Sequence, residues 1–261
     1  MIEAEADSAP RNRVGRTCIV IPCYDEAARL PTARFKDFLL AHPEVAFVFV
    51  DDGSRDDTLA LLRSLECIEP ERVCVLALPE NVGKAEAVRQ GMLRALEGWA
   101  EYVGYWDADL ATPLPSVLDF VHLLDSRPEL EVAIGARVVL LGRRIERRAL
   151  RHYLGRIAAT AIALTLGLRV YDTQCGAKLF RAGPVTREIF RAPFVARWAF
   201  DVEILARLIR SRRSAGLPPA ESVVCEVPLP EWIDVGGSKV AALDYLRAGV
   251  DLLRIWRRYL V

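Results

Sequence analysis

The chain has 261 residues, of which 52% are hydrophobic and 27% charged, an ordinary globular composition with room for one sizeable core. Lys and Arg total 35 and Asp and Glu total 35, so no global charge points to nucleic acid, and basic residues matter only where they cluster. The six cysteines lie in or beside apolar runs without metal-type or framework spacing, which favours reduced thiols and a cytoplasmic chain.

Residues 1–16 are polar and mixed in charge, without the basic-then-apolar order of a signal peptide; they are expected to form a loose tail before a single domain over 17–261. Thr17-Cys-Ile-Val-Ile-Pro22 reads as a strand ended by proline, and Cys23 to Leu30 starts a helical pattern with acids in its first turn. Ala46 to Asp51 is a second buried strand, turning at Gly53 into a helix near Asp56. Arg72 to Leu78 is a third, and Asn81-Val-Gly-Lys84 opens a helix with Ala85, Val88, Met92, Leu93 and Leu96 on one face.

The fourth strand, Tyr102 to Trp106, ends in Asp107-Ala-Asp109, with Pro113 barring simple continuation. Residues i and i+2 of an extended segment face the same way, so the two carboxylates can converge on one hard cation, which in turn would bridge to a diphosphate. A solvated turn capping the next helix is the competing reading of such a pair. Strands alternating with helices imply a mostly parallel, Rossmann-like sheet covered on both faces, whose ligands bind at the strands' carboxyl ends. That rule gathers Pro22 to Asp25, Asp51 to Ser54, Asn81 to Lys84 and Asp107 to Asp109 on one rim. Neither GxGxxG after the first strand nor GxxxxGK[ST] occurs, which argues against a usual dinucleotide fold and a P-loop.

Glu131 to Arg137 is a fifth strand. The basic Arg143 to Arg156 then leads into apolar Ile157 to Leu168, roughly a dozen residues against the ~20 that span a bilayer. Such a basic and apolar helix suits a membrane interface, its arginines meeting phosphate head groups, or else a core or dimer contact. Tyr171 to Phe180 is a turn at Gly176 ending in a short strand, with Asp172 a candidate catalytic acid. Arg197 to Leu205 begins a helix expected to leave Asp201 or Glu203 free for the crevice. Ser222 to Pro228 is another strand, Asp234 to Lys239 a flexible loop whose lysine suits phosphate, and Ala241 to Leu260 a last amphipathic helix.

Eight pieces in order, IPCYDEAARL, VDDGSRDDT, NVGKAEAVRQG, DADLATP, GAR, DTQCGAKLF, RWAFDVEIL and GGSK, resemble family 2 glycosyltransferases of the GT-A fold. Within that family the likeness is to polyprenyl-phosphate glycosyltransferases, in particular the dolichyl-phosphate β-glucosyltransferase branch. The resemblance implies an α/β GT-A domain carrying the basic and apolar interfacial helix. Pro22, Tyr24, Glu26, Asp51, Asp52, Gly53, Asn81, Lys84 and Asp107 would then line a nucleotide-sugar site, with Asp51 on the base and Lys84 near the sugar. Asp107 and Asp109 would hold Mg2+ or Mn2+. Arg137, Arg143, Arg144 and Lys239 would face an acceptor phosphate. The implied reaction is inverting transfer of a sugar, glucose from UDP-glucose, to a polyprenyl phosphate by a peripherally membrane-associated enzyme. An ionised phosphate needs no strong base, whereas a soluble or peptidyl hydroxyl acceptor would require Asp172 or Asp201 in that role. Ala85 and Glu86 depart from the family's glycine-rich pattern. A sugar nucleotidyltransferase would show a Gly-rich loop after the first strand, and a non-catalytic module would have lost one acid of the pair.

Overall fold

The computed structural model describes residues 16–146, 159–233 and 242–261. Seven strands form the central sheet: β1 (Thr17–Cys23), β2 (Val45–Asp51), β3 (Val73–Ala77), β4 (Tyr102–Trp106), β5 (Val132–Ala136), β7 (Ala177–Arg181) and β8 (Val224–Pro228). Their order is β3-β2-β1-β4-β7-β5-β8. Only β7 runs antiparallel to its neighbours; the rest point the same way.

Alternation along the strands assigns their two faces. Val20, Val48, Val50 and Tyr105 pack with α3 (Lys84–Leu96), α6 (Pro184–Arg191) and α7 (Phe200–Ser214). Ile19, Ile21, Phe47, Phe49 and Trp106 pack with α1 (Thr32–Ala41), α2 (Thr58–Ile68) and α4 (Ser116–Ser126). Phe35 of α1 meets Phe47 and Phe49 edge-on, with centroids 5.4 and 5.1 Å apart. Each such ring contributes ~1.5–3 kcal/mol by leaving water. Helix α3 lies so close that a Cβ on Gly91 would stand 2.3 Å from Val20 Cγ1 and 2.7 Å from Val50 Cγ2. This close approach lays α3 against β1 and β2, and Lys84 opens that helix.

Register completes the rim. Cys23 pairs with Asp51, Asp51 with Ala77, and Trp106 with Ala177. The carboxyl ends of β1 to β4 therefore share one edge with the beginning of β7. A two-stranded ribbon joins β6 (Arg144–Glu146) to β9 (Glu231–Ile233) in parallel. Residues 159–166 form α5, and α8 (Ala242–Ile255) precedes a final π-helical turn. Among the described residues no helix is long and apolar enough to cross a membrane.

The structure corrects several boundaries. Strand β1 continues through Pro22 to Cys23, because it pairs there with β2 alone. The helix expected from Cys23 starts only at Thr32, after Pro31, and the acids at 25 and 26 belong to a loop. Arg144 lies on the β6 ribbon rather than a helix, with Arg143 in the exposed turn before it. Arg16 is tied to the fold through Glu101 and Asp125. The rest of the expected tail, most of the basic stretch between Arg143 and Arg156, and Lys239 lie outside the described residues.

Candidate active site

The side of the rim formed by β1, β2 and α3 is held mostly by hydrogen bonds to backbone N–H groups. Asp25 adopts φ 50°, its N–H donates to Ser54 Oγ at 3.1 Å, and its carboxylate accepts Arg55 N at 2.8 Å. Glu26 N donates to Thr58 Oγ1 at 2.8 Å, so the turns after β1 and β2 are zipped together, with Tyr24 half-buried at their start. Gly53, at φ 65°, permits the second turn: a Cβ would lie 2.5 Å from the Glu80 carbonyl carbon. The buried Asp52 carboxylate accepts Val82 N at 2.8 Å, Gly83 N at 3.0 Å and Asn81 Nδ2 at 3.1 Å. Burial pushes its pKa up, against these hydrogen bonds. Asp52 is thus committed to holding the 81–83 turn. Its neighbour Asp51 is equally buried, but its Oδ1 takes no hydrogen bond among the described residues. A buried, unsatisfied acceptor is costly and marks where a ligand donor would fit.

Asp107 and Asp109 stand at the centre. Trp106 Nε1 donates to Thr112 O at 3.1 Å, closing the loop that carries them. Asp107 N donates to Gly176 O at 3.0 Å, and its carboxylate lies over Gly176, where a Cβ would come within 1.9 Å of Oδ2. Lys84 forms an ion pair with Asp107 Oδ1. Burial disfavours the Lys84 ammonium, yet Asp107, Asp201 and Asp109 together raise its pKa. Asp109 accepts Ala111 N at 3.0 Å, and its pKa is raised by burial and then by Asp107. Two carboxylates this close repel each other unless a cation lies between them. No group of three or more His, Cys, Asp or Glu suited to a metal occurs among the described residues. Two carboxylate ligands, with phosphate and water oxygens completing the shell, are what Mg2+ accepts. The donor set therefore fits a metal carried with a diphosphate.

The far side is built from ion pairs. Arg137 grips Asp172 through Nε at 2.6 Å and Nη2 at 2.7 Å, and its backbone N–H adds a third bond at 3.1 Å. Burial opposes the guanidinium charge, but Asp172 more than compensates. Glu226 accepts Tyr171 N and Asp172 N, both at 2.8 Å, and Arg137 stacks over Trp232 at 5.2 Å. Asp172 is thereby a bound partner of Arg137. The expectation that Asp201 or Glu203 would be free for the crevice is corrected. Glu203 is fully buried, accepting Val195 N, Ala196 N, Arg207 and the Tyr259 hydroxyl. Asp201 Oδ1 receives both Lys178 Nζ and the Tyr105 hydroxyl at 2.5 Å. Arg143 and Arg144 are exposed on the ribbon side, Arg144 facing Glu231 at 3.4 Å.

Three residues have roles beyond those expected from the sequence, which marks Gly176 only as a turn. Gly176 supplies the space for Asp107, Lys178 carries a buried charge, and exposed Arg197 lies 3.2 Å from a Cβ placed on Gly83. Gly176 left a turn signal and Lys178 that of a lysine inside the apolar strand AKLF.

Residues 18–187 match the model of Glycosyl transferase family 2. The chain belongs to that family. This glycosyltransferase is 33% identical over 258 residues to dolichyl-phosphate β-glucosyltransferase of Drosophila melanogaster, covering 93% of this chain and 75% of that protein. The human protein of that name is 32% identical over 261 residues, with the same coverages. Among solved structures, glucosyl-3-phosphoglycerate synthase from Mycobacterium tuberculosis, in complex with Mn2+, UDP-glucose and phosphoglyceric acid, superposes with TM-score 0.64 at 18% identity, covering 92% of this chain and 79% of that one. A mannosyltransferase from Pyrobaculum calidifontis with GDP-mannose and Mn2+ gives TM-score 0.59 at 16% identity, covering 94% and 64%. These likenesses show the fold of the glycosyltransferase, GT-A.

Proposed function

We propose that the enzyme transfers glucose from UDP-glucose to a polyprenyl phosphate of the dolichyl type, with inversion, at a membrane surface. One observation carries this reading: the paired acids Asp107 and Asp109, with Lys84 against them, stand at the rim of a chain that is about a third identical to dolichyl-phosphate β-glucosyltransferases over 93% of its length. Asp51 Oδ1, buried without a donor, suits an N–H of the uracil base. Asp107 and Asp109 would hold Mg2+ or Mn2+, whose charge stabilises the departing diphosphate. Lys84, ion-paired with Asp107, adds a positive charge on the same side. Arg137, neutralised and aimed by Asp172, orients the acceptor phosphate. An oxygen of that phosphate attacks the anomeric carbon as the bond to UDP breaks, so one phosphoester linkage forms as the other leaves. Because the acceptor is already ionised, no proton acceptor is needed, which agrees with Asp172 being engaged by Arg137.

Peripheral membrane association draws support from Leu164 on α5 and Leu253 and Trp256 at the chain's end, all exposed, beside Arg254, Arg257 and Arg258. Tryptophan and arginine at the edge of an apolar patch suit an anionic bilayer surface.

The test is release of nucleoside diphosphate from UDP-glucose, GDP-mannose and UDP-N-acetylglucosamine with Mg2+ or Mn2+, with and without a short polyprenyl phosphate. Lipid-dependent turnover of UDP-glucose is expected. Turnover indifferent to the lipid would transfer the acceptor role to a hydroxyl, and preference for GDP-mannose would overturn the donor assignment.

A further inference from the structure

Lys178 lies on β7 with a side chain that is 0% exposed, among the buried apolar residues Ala177, Leu179 and Phe180. Taking an ammonium out of water costs several kcal/mol unless its partners are close and well aimed. Here Nζ donates to Asp201 Oδ1 at 2.5 Å and to the Cys175 carbonyl at 2.7 Å, and lies 5.2 Å from the centroid of the Tyr105 ring. Tyr105 donates its hydroxyl to the same Asp201 oxygen. Burial, and then Asp201, push the phenol's pKa well up, so it stays a donor. For stability alone a well-packed apolar pair would serve as well or better.

What the pair adds is placement. Cys175 precedes Gly176, whose carbonyl accepts Asp107 N and whose bare Cα makes room for the Asp107 carboxylate. Fixing the Cys175 carbonyl therefore fixes the wall against which Asp107 rests. Asp201, for its part, is close enough to Lys84 to raise its pKa, together with Asp107 and Asp109.

We infer that Lys178 is a positioning residue of the donor site: through the Cys175 carbonyl it holds the 172–176 turn against Asp107, while Asp201 serves as its buried counter-charge. The inference rests on the proposed roles of Asp107 and Lys84 in binding the metal and the diphosphate. Residues supporting metal ligands from behind typically change metal affinity by about 10- to 100-fold when removed.

Calorimetric titration of Mn2+ with UDP, alongside thermal melting, tests it on the full chain, on Lys178→Met, and on the double variant that adds Asp201→Asn. Lys178→Met leaves an uncompensated carboxylate and is expected to melt lower. The double variant removes both charges and is expected to recover melting while binding Mn2+ and UDP roughly 10- to 100-fold more weakly. Binding of the product nucleotide needs no general base, so such a loss is separable from the loss of a proton acceptor at Asp201. If binding recovers together with melting, Lys178 serves stability only and the inference falls. Should the double variant not fold, Lys178→Met alone, titrated below its melting temperature, has lost the bond to the Cys175 carbonyl, and unchanged binding there overturns the inference equally. A wild-type chain that does not bind Mn2+ with UDP would instead overturn the proposed function.

Discussion

The two halves of the rim hold their functional groups by different means. On the side of β1, β2 and α3, carboxylates and hydroxyls grip backbone N–H groups a turn away, as Asp52 grips Val82 and Gly83 and Thr58 grips Glu26. On the side of β5 and β7, buried charges grip each other, as Arg137 grips Asp172 and Lys178 grips Asp201. The first arrangement is made by turn chemistry and tolerates change in the side chains around it. The second is made by tertiary packing, and removing one partner strands the other without solvent.

Gly176 is where the halves meet, and its substitution should have the largest effect on catalysis. Gly176→Ala forces a Cβ into the Asp107 carboxylate or pushes the turn away from it. A displacement of about 1 Å at a reacting group can cost ~100-fold. Turnover of UDP-glucose is expected to fall by that order while the melting temperature changes little. Unchanged turnover would mean that the turn is not a wall of the site.

Asp52→Ala probes the backbone-held half. It leaves Val82 N and Gly83 N without their acceptor, at about 1–3 kcal/mol of stability, and loosens the turn that leads into Lys84. The KM for UDP-glucose is expected to rise more than kcat falls, as steady-state kinetics would report. The opposite split would place Asp52 in the reaction itself.

The smallest effect is expected far from the rim, at Asp125. Arg16, by hydrogen bonds first, holds that carboxylate below its ordinary range, with Tyr102 assisting. A depressed carboxylate contributes stability above its unfolded pKa of about 3.9, and that stability is lost as pH falls through the lower folded value. The pair is partly exposed, so Asp125→Asn should cost only ~0.5–1 kcal/mol near pH 7, and chemical denaturation should show the difference vanishing in acid. A difference that persists in acid would locate the effect in packing.

The same contrast explains what could be read from the sequence. The backbone-held half was legible because its devices are local, Gly53 in a tight turn and Asn81-Val-Gly before a helix; Asp107 and Asp109 do stand at a strand's end, but in a turn closed by Leu110 N on Asp107 O rather than in the extended segment expected. Periodicity located all the strands that lead to it. The ion-paired half joins segments far apart in the chain, Tyr105 with Asp201 and Arg137 with Glu226 by way of Asp172, and no local pattern announces such partners. Asp201 and Glu203, with acidic side chains in the first turn of α7, therefore read as available when both are engaged. The helix start at Thr32 was misread for another reason: the acids at 25 and 26 imitate a first turn, while Pro31 sets the true boundary.

The reversed direction of β7 has one more consequence. Because β5 ends and β7 begins at the same rim, the chain leaves the sheet after Ala136 and re-enters it at Ala177 beside the point it left. A change of length within the stretch between would leave the register of the seven-stranded sheet untouched so long as the pairing of β6 with β9 and the 172–176 turn are kept. Between those fixed points the chain would serve as an exchangeable cassette, refitted for a new acceptor while the proposed nucleotide site on β1, β2 and α3 stays as it is.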